Sequence, residues 1–306
     1  MKKFFIKNSL NSDLALLIKT KLEFGIPRND VLEDAIRFIE TDKNIDSVGY
    51  GGFPNILGEM ELDAAFMDGD NRTVGAVAGV KNFLPVRIAR KLMEENLHTM
   101  LAGEGAEIFA HECGFEGEKT LSPAQRKKWK TEIKPLLSDN STSLMQKVRQ
   151  VAKPKIDYDT VVILASDGNG ISAATSTSGW PYKYPSRIGD TPIAGAGFYV
   201  DSRYGGCLCN YTGEMSIRTG IARLVVAQME MGKSVNKAVD EAIRNLSQLK
   251  TGLLRGLGIY AVDKNGKERS VAINIDIPEV KYWFWCKDMS APEQRIAEKI
   301  EIPSWR

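Results

Sequence analysis

The chain has 306 residues and a mass of 33.9 kDa, room for one large domain or two small ones. Lys plus Arg number 41 and Asp plus Glu 39, and a formal charge of +2 excludes a chain specialised for nucleic-acid phosphates. With 43% hydrophobic and 26% charged residues, global disorder is excluded, and no apolar run nears the ~20 residues of a membrane span. At the N-terminus the two lysines of MKKFFIKNSLNSDLALL imitate a secretory leader, but Lys7, Asn8, Asn11 and Asp13 interrupt its apolar core. Four cysteines make no disulfide framework, and two histidines leave almost no material for a zinc site or a serine–histidine triad. The expectation is a cytoplasmic chain with free thiols, no metal, no cofactor, and neither nucleic acid nor membrane as a partner.

In chain order, Ser12 and Asn29 are placed to cap two helices, the second with Val31, Leu32, Ala35, Ile36 and Ile39 on one face. The glycine-rich stretch SVGYGGFPNILGE leads into LDAAFM and VGAVAG, two apolar runs divided by DGDNR, which predict a β-hairpin. Pro85 opens a helix over VRIARKLMEENL, and EGAEIFAHE predicts another. From Glu116 to Asp157 the chain is polar and lysine-rich, and reads as one helix, PAQRKKWKTEIKPLL, followed by an exposed linker through SDNSTSLMQK. Beyond it come strands, two helices (EMSIRTGIARLVVAQMEMG and SVNKAVDEAIRNLSQL), and a hairpin turning at Lys264-Asn265-Gly266. Strands and helices grouped in each half favour stacked sheet and helix layers over a doubly wound parallel sheet.

The chemistry concentrates in residues 160–177. Asp167-Gly168-Asn169-Gly170 predicts a two-residue hairpin turn, with Gly168 suited to the first position of a type II′ turn. That register sets Thr160 directly opposite Thr177, with their side chains on one face. A cross-strand threonine pair is common in sheets, because threonine favours strands. The alternative is a threonine nucleophile activated by its own α-amine, whose pKa of about 8 leaves a neutral fraction near neutrality. Such an amine exists only if the bond between Asp159 and Thr160 is cut, and Thr160 is the first residue after the long polar segment.

Asp159-Thr160, TSTSG at 175–179, SRIGDTPIAGAGFYVD at 186–201 and SVGYGGFPNILGEMELDAAFMDG at 47–69 resemble the glycosylasparaginases, N-terminal nucleophile hydrolases akin to plant-type asparaginases and isoaspartyl peptidases. The resemblance implies an α+β fold, a four-layer αββα sandwich, as a single domain over 1–306. It implies self-cleavage into an α subunit, 1–159, and a β subunit, 160–306, with two αβ units paired. The implied reaction is hydrolysis of the side-chain amide of a glycosylated asparagine. Thr160 then matches the nucleophile, Asp159 the aspartate assisting self-cleavage, Thr177 the second threonine, and Ser47 a pocket serine. Arg187 and Asp190 match the pair that holds the substrate's α-carboxylate and α-amino group, a fork for a carboxylate and an acceptor for an ammonium. Without that motif, Arg187 and Asp190 read as a mutual salt bridge.

Three positions depart from the family pattern. Asn210-Tyr211 stands where a Thr-Gly pair forms the oxyanion hole; the Asn210 amide and the Tyr211 backbone N–H are substitute donors, and an alignment slipped by two residues uses Thr212-Gly213 instead. FFIKNSLN lacks the family's tryptophan, and Tyr158 replaces a histidine. Isoaspartyl dipeptides or free L-asparagine are alternative substrates, and a catalytically silent binding protein is the alternative from another class. Gly195-Ala196-Gly197 reads as close backbone packing, Cys207 and Cys209 as buried packing, KKWK at 127–130 as a solvated helix face, and Tyr282-Trp283-Phe284-Trp285 as an edge or core strand.

Overall fold

The computed structural model describes residues 1–8, 12–152 and 160–305. Among them, one sheet of eight strands and one of five lie face to face. The first is built from β1 (Lys3–Asn8), β2 (Leu62–Asp68), β3 (Thr73–Val80), β4 (Met100–Ala102), β5 (Val161–Asp167), β6 (Ile171–Thr177), β11 (Lys281–Cys286) and β12 (Glu293–Ile296). Their spatial order is β12-β11-β1-β5-β6-β2-β3-β4. The second contains β7 (Phe198–Asp201), β8 (Gly205–Tyr211), β9 (Leu257–Asp263), β10 (Glu268–Ile273) and β13 (Glu298–Ile300), in the order β13-β10-β9-β8-β7. Neighbours run antiparallel except β3 with β4 and β10 with β13.

Period-two alternation sorts the side chains into layers. Phe4 and Ile6 of β1, with Val162 and Leu164 of β5, meet Leu208, Tyr260 and Val262 between the sheets. The intervening Phe5, Val161, Ile163 and Ala165 turn outward, under α1 (Ser12–Glu23), α2 (Arg28–Thr41) and α3 (Val86–Glu95), with α4 (Gly103–Glu112) beside them over β3. On the other side, Cys207 and Cys209 of β8 face α8 (Ile221–Glu230) and α9 (Val235–Leu246), in a core with Val225, Val239 and Ala242. Helices, two sheets and helices again make the expected αββα sandwich. The aromatic strand β11 lies between β12 and β1, with Trp285 buried against Phe5 at 6.3 Å between ring centroids.

Two local expectations are corrected. Asn29 does not cap α2: the helix starts after Pro27, and the Asn29 amide donates instead to Asp68 at 3.3 Å. The segment after α5 (Pro123–Glu132) is not a plain exposed linker. A 3₁₀ turn (Lys134–Ser138) and a further helix, α6 (Leu144–Val151), follow, and α6 begins at a capping box in which Ser143 and Gln146 exchange hydrogen bonds. Leu144, Val148 and Val151 pack on Phe53, Ile56 and Tyr182, and Trp129 of KKWK donates to the Ile56 carbonyl at 2.9 Å. A capping serine and a loop serine are the same letter, and only the apolar face behind it tells them apart.

Glu40 is fully buried at the end of α2, accepting from the Ser176 hydroxyl at 2.6 Å and the Val86 N–H at 3.1 Å. Burial pushes its carboxyl up to about 8; the hydrogen bonds and Arg37 oppose this, and Glu118 adds to it. The folded chain therefore holds this proton more tightly than the unfolded one, and stability falls as pH rises from the unfolded value of 4.5 to about 8. In that window the loss approaches ~1.4 kcal/mol per pH unit. Melting curves of Glu40→Gln protein should lose this slope between about pH 6 and pH 8; a slope equal to the wild type's would reject the assignment.

Candidate active site

The β5–β6 hairpin closes as its turn residues predict. Asp167 Oδ1 accepts from the N–H groups of Asn169 and Gly170 at 2.9 and 3.2 Å, and Gly168 takes φ +96°, where a side chain would be strained. Pairing runs from Val161↔Ser176 to Ser166↔Ile171, so Thr160, just ahead of β5, faces Thr177. Their hydroxyl oxygens are hydrogen-bonded at 3.2 Å, and Thr177 Oγ1 also accepts the Gly179 N–H at 2.9 Å. This end of the hairpin opens on a cleft whose walls include Ser47, Thr160, Thr177, Arg187, Asp190 and Tyr211. Six residues scattered over the sequence thus meet in one place. Asp159 lies outside the described residues.

Ser47 reaches the cleft because its carbonyl accepts both the backbone N–H of Ser178, at 3.0 Å, and that residue's hydroxyl, at 2.9 Å. The loop carrying Arg187 and Asp190 is fastened to the start of β2. The Glu61 carboxylate takes the Ser186 N–H at 2.9 and 3.0 Å, and Lys183 Nζ donates to the Glu61 carbonyl at 2.9 Å. Lys183 is buried 4.0 Å from the equally buried Asp63, with burial lowering the pKa of the first and raising that of the second.

Arg187 forms its ion pair with Glu214, not with Asp190. Glu214 stands in the first turn of α7 (Gly213–Thr219), and its carboxylate receives Nε and Nη2 of Arg187 at 2.8–3.0 Å. The guanidinium is stacked on Trp180, 4.2 Å from the ring centroid. Its other nitrogen, Nη1, faces Gly179 and Gly189, both in the cleft wall. A Cβ at position 189 would stand 2.9 Å from Nη1, so glycine there keeps this edge of the fork open. Asp190 is buried, which pushes its carboxyl up to about 6, against the opposing Ser216 hydroxyl and Arg187 charge. The Ser216 hydroxyl is its polar neighbour, but no hydrogen bond of ordinary geometry reaches Oδ2 from the described residues. An ammonium is the natural partner for such an oxygen.

Asn210 is buried and does not line the cleft; its Nδ2 donates to the Tyr260 hydroxyl at 3.2 Å. Tyr211, which does line it, holds φ +77°, a left-handed conformation rare for an aromatic residue. Thr212 is buried behind it, with its N–H on the Gly256 carbonyl at 3.2 Å. Trp180, which itself lines the cleft beneath Arg187, and Glu214, which holds that guanidinium, were not legible as site residues.

Among the described residues no group of histidine, cysteine, aspartate and glutamate side chains has the arrangement of a metal site, and no helix is long and apolar enough to cross a membrane. All four cysteines are free thiols.

The four layers are those of an N-terminal nucleophile hydrolase. A profile of the asparaginase family (Asparaginase_2) matches residues 11–287, and the chain belongs to this family of amidohydrolases. It is 35% identical over 245 residues to an N(4)-(β-N-acetylglucosaminyl)-L-asparaginase of Elizabethkingia miricola, covering 78% of this chain and 68% of that protein. It is also 35% identical over 274 residues to a plant-type L-asparaginase of Pyrococcus furiosus, covering 87% and 86%. A plant-type L-asparaginase of Thermococcus kodakarensis is 34% identical over 272 residues, with coverage of 87% and 86%.

Proposed function

We propose that the chain hydrolyses the side-chain amide of N4-(β-N-acetylglucosaminyl)-L-asparagine or a close analogue, using Thr160 after self-cleavage between Asp159 and Thr160. The observation that carries the reading is the meeting, in one cleft, of the Thr160–Thr177 hydroxyl pair with a cationic fork and a buried carboxylate. Arg187 Nη1 takes the α-carboxylate and Asp190 the α-ammonium, which leaves the side-chain amide to meet the Thr160 hydroxyl. Thr160 Oγ attacks the amide carbonyl while the freed α-amine of Thr160 takes its proton. The tetrahedral oxyanion is held by the Tyr211 N–H with Asn210 or Thr212. The C–N bond then breaks, the proton leaves with the amine, and water opens the β-aspartyl ester.

A second reading keeps the chemistry and takes L-asparagine or an isoaspartyl dipeptide. The near-complete span of the archaeal plant-type L-asparaginases supports it. Ranking kcat/KM for the glycosylated asparagine, a β-aspartyl dipeptide and L-asparagine separates the two. On the best of them, Arg187→Lys should raise KM about 10–100-fold, because a lysine ammonium cannot hold the Glu214 carboxylate as Nε and Nη2 do and also present a third nitrogen to the substrate, a charge-assisted hydrogen bond worth about 1.5–3 kcal/mol. Equal hydrolysis of substrates with and without an α-carboxylate would remove Arg187 from this role, and absence of turnover on all three would favour a silent binding protein.

A further inference from the structure

Asn8 ends β1 fully buried, where an amide side chain is out of place unless both its polar atoms are used. Its main chain is in register with Tyr282 of β11. On the other side, among the described residues, the last β1–β5 pair is Lys7↔Ile163, and Val162, Val161 and Thr160 lie beyond it. The side chain of Asn8 reaches these residues. Its Nδ2 donates to the Thr160 carbonyl at 2.7 Å, and its Oδ1 accepts the Val162 N–H at 3.4 Å. One donor and one acceptor on a planar amide match what a peptide unit of a neighbouring strand offers. The Asn8 carbonyl is itself held by the buried Lys7 ammonium at 2.7 Å.

From this geometry we infer that Asn8 is the positioning residue of the nucleophile: by holding the Thr160 carbonyl, it keeps the Thr160 hydroxyl and nitrogen in register with Thr177. The inference rests on the reading of Thr160 as nucleophile. Self-cleavage would turn Thr160 into a chain end, and chain ends fray unless tied down. On the β6 side Thr160 stands one residue ahead of the first ladder pair, Val161↔Ser176. On the β1 side, among the described residues, its tie is the Asn8 amide. A nucleophile displaced by about 1 Å can lose ~10²-fold in rate. Arg187 and Asp190 sit on a different loop, outside the two hydrogen bonds by which this amide holds Thr160 and Val162, so substrate affinity should survive its loss.

The test compares wild type, Asn8→Ala and Asn8→Asp as full chains. The cleaved fraction is measured by intact mass, and kinetics on a chromogenic β-aspartyl anilide are normalised to it. Asn8→Asp keeps size and the acceptor for Val162 but replaces the donor to Thr160 by an oxygen. Both variants should lose about 10–100-fold in kcat with KM within about threefold. A wild-type kcat in cleaved Asn8→Asp would overturn the inference, as would a KM that rises in step with the fall in kcat. Should Asn8→Ala fail to fold, Asn8→Asp carries the test. Thr160→Ala distinguishes the two layers of the argument. If it turns substrate over, the nucleophile reading falls; if it is inactive while the Asn8 variants keep full kcat, only the role of Asn8 falls.

Discussion

Purified Thr160→Ala protein is expected to remain one chain of full mass and to be inactive, while the wild type resolves into two fragments divided at Asp159/Thr160. In self-cleavage the Thr160 hydroxyl adds to the carbonyl of Asp159, the peptide C–N bond opens to an ester, the threonine nitrogen becomes an amine, and water then cuts the ester. Alanine has no oxygen to receive the acyl group, so neither the amine nor the nucleophile ever appears. Removal of a nucleophile that works as a unit with its base costs on the order of 10⁶ in turnover. Thr177 does not take over, although its hydroxyl is 3.2 Å away: it already accepts the Gly179 N–H and has no amine of its own to deprotonate it. Thr160→Ser retains the hydroxyl and should keep both reactions at reduced rates. Two fragments in the Thr160→Ala protein would sink self-cleavage and point to an external protease.

Local chemistry made the hairpin legible. An Asp-Gly-Asn-Gly turn sets a register, and once the register is set the partner of every residue in both strands follows, Thr160 and Thr177 included. The layers were legible for a similar reason, since alternating apolar residues must be covered on both faces. The partner of Arg187 was not. Glu214 is 27 residues away on another element, and whether a guanidinium turns to it or to the nearby Asp190 depends on how the helix start packs against the loop. Asn8 was hidden differently. Lys7 and Asn8 were conspicuous as polar residues interrupting an apolar run, which is the sequence signature of a buried polar tie, but the same letters in the same place also describe an ordinary surface break.

The second large effect is expected at Asn210. Attack on the amide carbonyl builds a negative charge that fixed donors must meet, and loss of one such donor costs ~10²–10³ in turnover, about 2.7–4 kcal/mol. In the alignment without a slip, Asn210 stands where the resemblance places the family's threonine. Asn210 does not itself line the cleft: its Nδ2, which carries two hydrogens, donates to the Tyr260 hydroxyl at 3.2 Å behind Tyr211, and its Oδ1 packs so closely on Gly258 that a Cβ there would lie 2.1 Å away. The left-handed turn at Tyr211 then carries the chain from this buried amide into the cleft wall. In cleaved protein, Asn210→Ala should lower kcat by ~10²–10³ with a much smaller change in KM. Asn210→Thr should retain more activity, since a hydroxyl still donates. Tyr260→Phe should cost less than Asn210→Ala, because it frees the amide without removing its hydrogens. The slipped alignment forecasts the reverse: Thr212→Ala crippling and Asn210→Ala mild. The two alanine variants on a β-aspartyl amide decide between the donors. If neither lowers kcat, the charge is met elsewhere and the segment after β8 is not the oxyanion hole.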